Sequence, residues 1–259
     1  MRWPQKHRRW AFTALQLVIV LGVLLLGMAM MVPIIQRIRE AAARASSTNN
    51  LRQMALAMHA YHDTFGAFPP GVGENGQQNG PTHFHILPFI EQDALYRTAD
   101  GAAWKNGVYG TVIEVYLDPR DTSAPDHHYK SWLATTSYPV NWLVTKEGKT
   151  RIVNITDGTS NTLLFAQRYQ MCNGEPTAWG YPAIHTWAPI FAYYSEGKFQ
   201  SAPSQDRCDP RLAQSIGPDI LVAMCDGSAR TISNSILPLT WYYLSDPADG
   251  NPLPADDFD

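Results

Sequence analysis

Eight histidines, three cysteines and the Asp-Gly turns at 157–158 and 226–227 hold most of the chemistry open to this chain of 259 residues. His59 and His62 are three apart in a helical pattern and could share a face. His83 and His85 alternate on what reads as extended chain, and His127 and His128 are adjacent in a turn. A metal site needs further donors at a fixed spacing, as in H-E-x-x-H. No carboxylate stands at such a spacing, so these read as surface or hydrogen-bonded imidazoles and no metal is expected. A G-x-S-x-G elbow is absent, and no Ser or Cys sits in an activating context. No catalytic residue is therefore assigned, and the chain is not expected to be an enzyme.

Two polar turns remain as candidate ligand-binding positions: Asp157, Thr159, Ser160 and Asn161 in the run Asp157–Thr162, and Asp226 with Ser228 in the turn Asp226-Gly227-Ser228. Short carboxylates and hydroxyls could ligate a cation or a sugar, and the same residues cap tight turns. Asp246, Asp249, Asn251, Asp256 and Asp257 make the end of the chain rich in oxygen donors, which suits Ca²⁺ in kind, although the spacing is not that of an EF-hand. Ca²⁺ is the one cofactor left open. Among the cysteines, Cys172 and Cys208 form the preferred disulfide, and Cys225 lies in the apolar run ILVAMCDG. Trp142, Trp179, Trp187, Trp241, Tyr193, Tyr194, Tyr242 and Tyr243 could stack on sugar rings, anchor an interface or fill a core.

The element that positions all of this begins at the N-terminus. Arg2, Lys6, Arg8 and Arg9 precede an apolar run from Phe12 to Val32 broken by Thr13 and Gln16. About 20 helical residues cover the roughly 30 Å of a bilayer core. The basic leader then lies in the cytoplasm and the remainder outside. A cleaved signal is the competing reading. The run is longer than a signal core, however, and it continues into a helix-favouring stretch that holds the nearby Ala-x-Ala triplets, Ala41 to Ala43 among them.

Composition agrees with one anchor and one globular domain: 17 % charged residues, 45 % apolar, net charge −3. That charge offers no basic face for nucleic acid. The expected organisation is a cytoplasmic leader (1–11), a transmembrane helix (12–33), an amphipathic helix (34–62), an extracytoplasmic domain (63–244) and a Pro/Gly-rich acidic tail (245–259). Leu51, Met54, Ala55, Met58 and Tyr61 set the helical stripe. Phe68-Pro69-Pro70-Gly71 stops it, and a Gly/Asn/Gln loop follows. A short helix is expected around His85–Tyr96. TVIEVYL and SYPVNWLV read as strands, and ILVAMCDGSARTISN reads as a hairpin about Asp226-Gly227. The tail is expected to be loop. The fold class is α+β, a long N-terminal helix on an antiparallel sheet.

Ala11-Phe12-Thr13-Ala14-Leu15-Gln16 resembles the N-terminus of type IV pilins and type II secretion pseudopilins. In those proteins a prepilin peptidase cuts before Phe and the new N-terminus is methylated. The resemblance implies processing between Ala11 and Phe12, and it places Pro33 at the pilins' helix-kinking proline. It also implies a pilin-like fold whose first helical half spans the membrane, with the peptidase and other pilin-like subunits as partners beside the lipid bilayer. Ala11 replaces the usual Gly, and Gln16 stands where the family carries the Glu used in assembly. A neutral amide loses the buried ion pair that would favour docking in register.

Further segments are similar to a large planctomycete family of unknown function that joins a prepilin-type N-terminus to a His-(nine residues)-Asp-Gly signature. They are REAAARASSTNNLRQMALAMHAYHDTFGAFPPG, HILPFIEQDALY, SYPVNW, ITDGTSNTLLFAQ, AMCDGSARTIS and DPADGNPLP. Ile216 stands where that signature has His. Ser47 and Asp118 stand where the family tends to carry cysteines. The expected function is a single-pass, pseudopilin-like structural or interaction component of a secretion or envelope assembly. The alternative is an anchored polysaccharide- or solute-binding module using surface aromatics.

Overall fold

The computed structural model describes residues 14–193 and 197–253. It divides into two units, Met1–Ala42 and Ala43–Asp259. Helix α1 (Ala14–Phe65) continues through Pro33. Its end follows from its sequence. Gly66 takes a left-handed φ of 80° and its N–H donates to the His62 carbonyl at 2.7 Å, the usual glycine stop, and two prolines follow.

In the first unit the large apolar side chains described on α1 are exposed, from Leu17 at 62 % to Ile38 at 62 %, and Gln36, Arg37, Arg39 and Glu40 are polar. Among the described residues no helix is long and apolar enough to cross a membrane. Phe12, Thr13 and the side chains at 14–15 and 26–30 lie outside the described residues, which leaves shorter apolar runs within the expected span 12–33. The Ala11–Phe12 junction also lies outside them.

The second unit is built on a five-stranded sheet of β1 (Val140–Asn141), β2 (Leu163–Ala166), β3 (Ile190–Phe191), β4 (Ile220–Met224) and β5 (Ala229–Ile232), in the order β5-β4-β2-β1-β3. All five residues of β4 are buried, because the sheet is covered on both faces. Leu221, Ala223 and Cys225 join Leu51, Met54, Ala55 and Met58 of α1 in one core. Ile220, Val222 and Met224 join Trp241 and Leu244 of α2 (Pro238–Ser245) in a second. The strand's period of two thus feeds two cores. A register shift between Ala223 and Met224 gives β2 one extra residue, and Leu164 and Phe165 both reach the α1 side.

The sheet corrects the antiparallel expectation. β1 pairs β2 antiparallel but β3 in parallel, so the sheet is mixed within an α+β fold. The β4–β5 hairpin forms as its sequence indicates. TVIEVYL does not make a strand; it holds a 3₁₀ turn at Glu114–Tyr116. The Tyr116 carbonyl accepts from Ser137 N–H at 2.8 Å and Thr136 Oγ1 at 2.9 Å, so loops meet its backbone needs without a partner strand. SYPVNWLV gives only the two residues of β1 and then a helical turn, Trp142–Thr145, started by the Asn141 side chain accepting from Leu143 N–H. The loop after Gly71 is a paired hairpin, Val72–Asn75 with Gln78–Pro81. The tail runs as loop through residue 253 and is tied down at Asp249 and Gly250 by Asp157.

Candidate functional site

The two polar turns lie side by side. Asp226 N–H donates to the Thr159 carbonyl at 3.0 Å, and Cys225 N–H donates to that of Thr162 at 2.8 Å. Their aspartate and asparagine side chains serve the backbone. Asp157 accepts from the N–H groups of Asp249 at 2.8 Å and Gly250 at 3.1 Å, which fastens the tail. Asn161 donates to the Asp157 carbonyl at 3.1 Å. Asp226 accepts from Ser228 N–H at 2.8 Å. Ser160 shares this loop, and Ser228 Oγ is buried without a partner. Asp246 and Asp249 cap Ala248 and Asn251 in the same manner; Asp256 and Asp257 lie outside the described residues. Among the described residues no three His, Cys, Asp or Glu converge as a metal would need.

His83 and His85 sit on a helical turn, Thr82–His85, rather than on extended chain. Both are buried. His83 Nε2 meets the Tyr138 carbonyl at 2.8 Å, and His85 Nε2 meets that of Gly73 at 3.0 Å. Burial pulls each imidazole down to about 4, against those bonds. His62 Nε2 accepts from Ile152 N–H at 3.3 Å, and His127 pairs with Gln170. A disulfide joins Cys172 and Cys208, and Cys225 is free and buried. Gln16 is exposed on α1 and engaged.

A polar groove of about 460 Å³ runs between Asn50 and Gln53 of α1 and the segment carrying Glu114, Asp118, Asp121 and His127. Its two aspartates are spoken for. Asp118 accepts from Arg120 N–H at 2.9 Å, from its Nε at 3.1 Å and terminal nitrogen at 2.8 Å, and closely from Gln167. Asp121 accepts from Ser123 N–H at 2.9 Å, Gln170 N–H at 2.7 Å and Ser137 Oγ at 3.1 Å. Burial raises its pKa, against those bonds. The groove floor is a brace for the 114–127 loop. The Tyr138 phenol ties it to α1: burial and Asp118 push its pKa well up, against hydrogen bonds from Ser47 and Asn50 and the nearby Arg120. Ser47 and Asp118 are thus gathered around one ring.

The aromatic residues divide. Trp179 and Trp241 are core. Trp142 packs edge-on against Tyr193 at 5.2 Å, Tyr242 meets Tyr243, and Tyr194 lies outside the described residues. Trp187 belongs to a surface cluster with residues the sequence did not single out. Its ring meets Tyr129 at 5.1 Å, Tyr181 at 5.4 Å and His185 at 5.7 Å. Tyr109 meets Trp132 at 5.7 Å. Close backbone packing joins the two groups. A Cβ on Gly180 would stand 3.0 Å from Tyr109 Cβ, and one on Gly110 2.8 Å from the Trp132 carbonyl.

The hairpin His128–Tyr129/Leu133–Ala134 carries Tyr129 and Trp132. Its turn closes by Trp132 N–H to the Tyr129 carbonyl at 3.3 Å around Lys130 and Ser131, at φ 50° and 63°. Two left-handed L-residues in succession are costly, and such strain clusters where a loop must present side chains. Here it leaves Trp132 49 % exposed and sets the Lys130 ammonium 5.0 Å from the centre of the Tyr129 ring. Trp187 N–H donates to His185 Nδ1 at 3.3 Å, so in the neutral ring Nε2 carries the proton and points away from that contact.

A family model described as Protein of unknown function (DUF1559) matches residues 36–107. That range holds two of the six resembling segments, from Arg39 to Gly71 and from His85 to Tyr96. No curated protein and no solved structure matches the chain.

Proposed function

We propose that the chain is a single-pass, extracytoplasmic envelope protein, pseudopilin-like in plan, which binds a partner and performs no catalysis. The observation that carries this reading is the apolar surface of α1. Eight side chains between Leu17 and Leu25 are 49–67 % exposed. A helix apolar on all sides needs a large core or a bilayer around it, and a lipid phase is the cover this reading supplies. The Arg- and Lys-bearing leader orients it with the N-terminus in the cytoplasm. The Cys172–Cys208 bond supports an oxidising compartment for the rest of the chain. The saturation of Asp118, Asp121 and Asp157 by backbone and side-chain donors supports a binding role over a hydrolytic one.

Alkaline carbonate extraction of native membranes, followed by intact-mass measurement, tests the reading. The protein is expected to stay with the lipid, and its domain to be digested only from the outer side. Release by carbonate, with a mass that has lost the apolar run, overturns the anchor. A chain beginning at methylated Phe12 places it in the prepilin pathway, where Ala11→Arg blocks maturation. A chain beginning at Met1 makes it a plain signal anchor.

A further inference from the structure

We propose that the cluster of Tyr109, Tyr129, Trp132, Tyr181, His185 and Trp187 is a polysaccharide-binding platform on the domain's surface, which deepens the binding role above and rests on it. Pyranose rings offer an apolar C–H face and a rim of hydroxyls. A matching surface must therefore alternate ring faces with outward hydrogen-bonding groups, on a backbone that does not have to be ordered on binding. The cluster has all three properties.

Its rings contact one another tilted or edge-on, between 51° and 89°. They brace each other instead of stacking into a closed pile, and Trp132 and His185 are the rings exposed at the rim. Trp132 is half exposed, although its backbone is clamped against Gly110, where a Cβ could not fit. Polar groups interleave with the rings: the Lys130 ammonium beside Tyr129, the outward Nε2–H of His185, and the Tyr129 and Tyr181 hydroxyls. The left-handed pair Lys130–Ser131 holds Trp132 and Lys130 at this edge. A protein partner would be expected to seek a continuous apolar patch with a polar rim; here polar groups are spread through the aromatic surface, which suits a sugar chain better.

The test is affinity electrophoresis of the full chain in detergent micelles, through gels containing hydroxyethylcellulose or polygalacturonate, with tryptophan fluorescence titrations in the same solutions. Retardation by at least one polymer is expected. Trp132→Ala should weaken it about tenfold, the scale of one lost aromatic contact, with the unfolding midpoint unchanged because that ring is half in solvent. Trp132→Phe should restore part of the binding. Lys130→Ala should weaken polygalacturonate selectively if the ammonium meets a uronate. Binding unaffected by Trp132→Ala, or no retardation of the wild type in either gel, overturns the proposal. The anchor is judged separately: carbonate-extractable protein that is still retarded sinks the membrane reading alone, and membrane-held protein that is not retarded sinks the platform alone.

Discussion

Two buried imidazoles make this fold sensitive to acid, and the sign follows from their surroundings. His83 and His85 are held near 4 in the folded chain by burial, against about 6.5 when unfolded. Above pH 6.5 both states carry neutral rings and nothing is lost. As pH falls from 6.5 toward 4, the unfolded chain takes up protons that the folded chain refuses. Stability should fall by about 1.4 kcal/mol per pH unit for each ring. Urea unfolding between pH 4 and pH 7 measures this, and His83→Gln should flatten the slope by about half of the histidine contribution. An unchanged slope would mean that His83 titrates normally. Arg168 is a second residue on which much depends. It is 1 % exposed and donates to the carbonyls of Leu212 at 3.1 Å, Ala188 at 3.3 Å and Ile190 at 2.6 Å. Arg168→Met would strand those buried acceptors and should cost about 3 kcal/mol or more, read as a drop in the urea midpoint.

At the scale of elements, the turn at Lys130 and Ser131 holds strain that can be relieved. Asn and Gly tolerate the left-handed region that Lys and Ser resist. Lys130→Asn with Ser131→Gly should raise stability by about 1 kcal/mol in thermal unfolding, and loss of stability would show that the turn is not left-handed at both positions. This element also shows why the sequence was legible in some places and silent in others. The β4–β5 hairpin could be read because alternation and an Asp-Gly turn lie within a dozen residues of one another. The stripe Leu51 to Tyr61 could be read because a helix's period is local. TVIEVYL misled because β-propensity reports a side chain's liking for a pleated surface, and no strand stands beside it. The aromatic cluster was silent for the opposite reason. It draws on residues 109, 129, 132, 181, 185 and 187, of which only Trp187 stood out alone, brought together from one short hairpin, a 3₁₀ turn and a loop. The burial of Asp118 and Asp121 was hidden too, since their partners Gln167 and Gln170 lie 49 residues away.

For the molecule as a whole, regular structure is thin where the chain from 167 to 219 crosses the second unit. Among its described residues that stretch holds only strands of two residues, at Met171–Cys172, Glu175–Pro176, β3, Gln200–Ser201 and Gln214–Ser215. Such strands bury little and exchange few backbone bonds, so the segment leans on long-range ties, namely Arg168 and the Cys172–Cys208 bond. The bond closes a loop of 36 residues, and constraining an unfolded chain to that extent is worth about 4 kcal/mol in the loop-entropy account. A domain's whole margin is often of order 10 kcal/mol, so this single link is a large part of what keeps the segment in place. Cys172→Ser with Cys208→Ser should therefore lower the unfolding free energy by about 4 kcal/mol. Reduction of the native protein should lower it by the same amount, while the core around α1 and β4, which holds no part of the bond, still unfolds cooperatively. Matching urea midpoints for the reduced and double-serine proteins, well below that of the oxidised one, are the expected result. A reduced protein as stable as the oxidised one would mean that the link adds nothing, and the export argument built on it would lose its thermodynamic support.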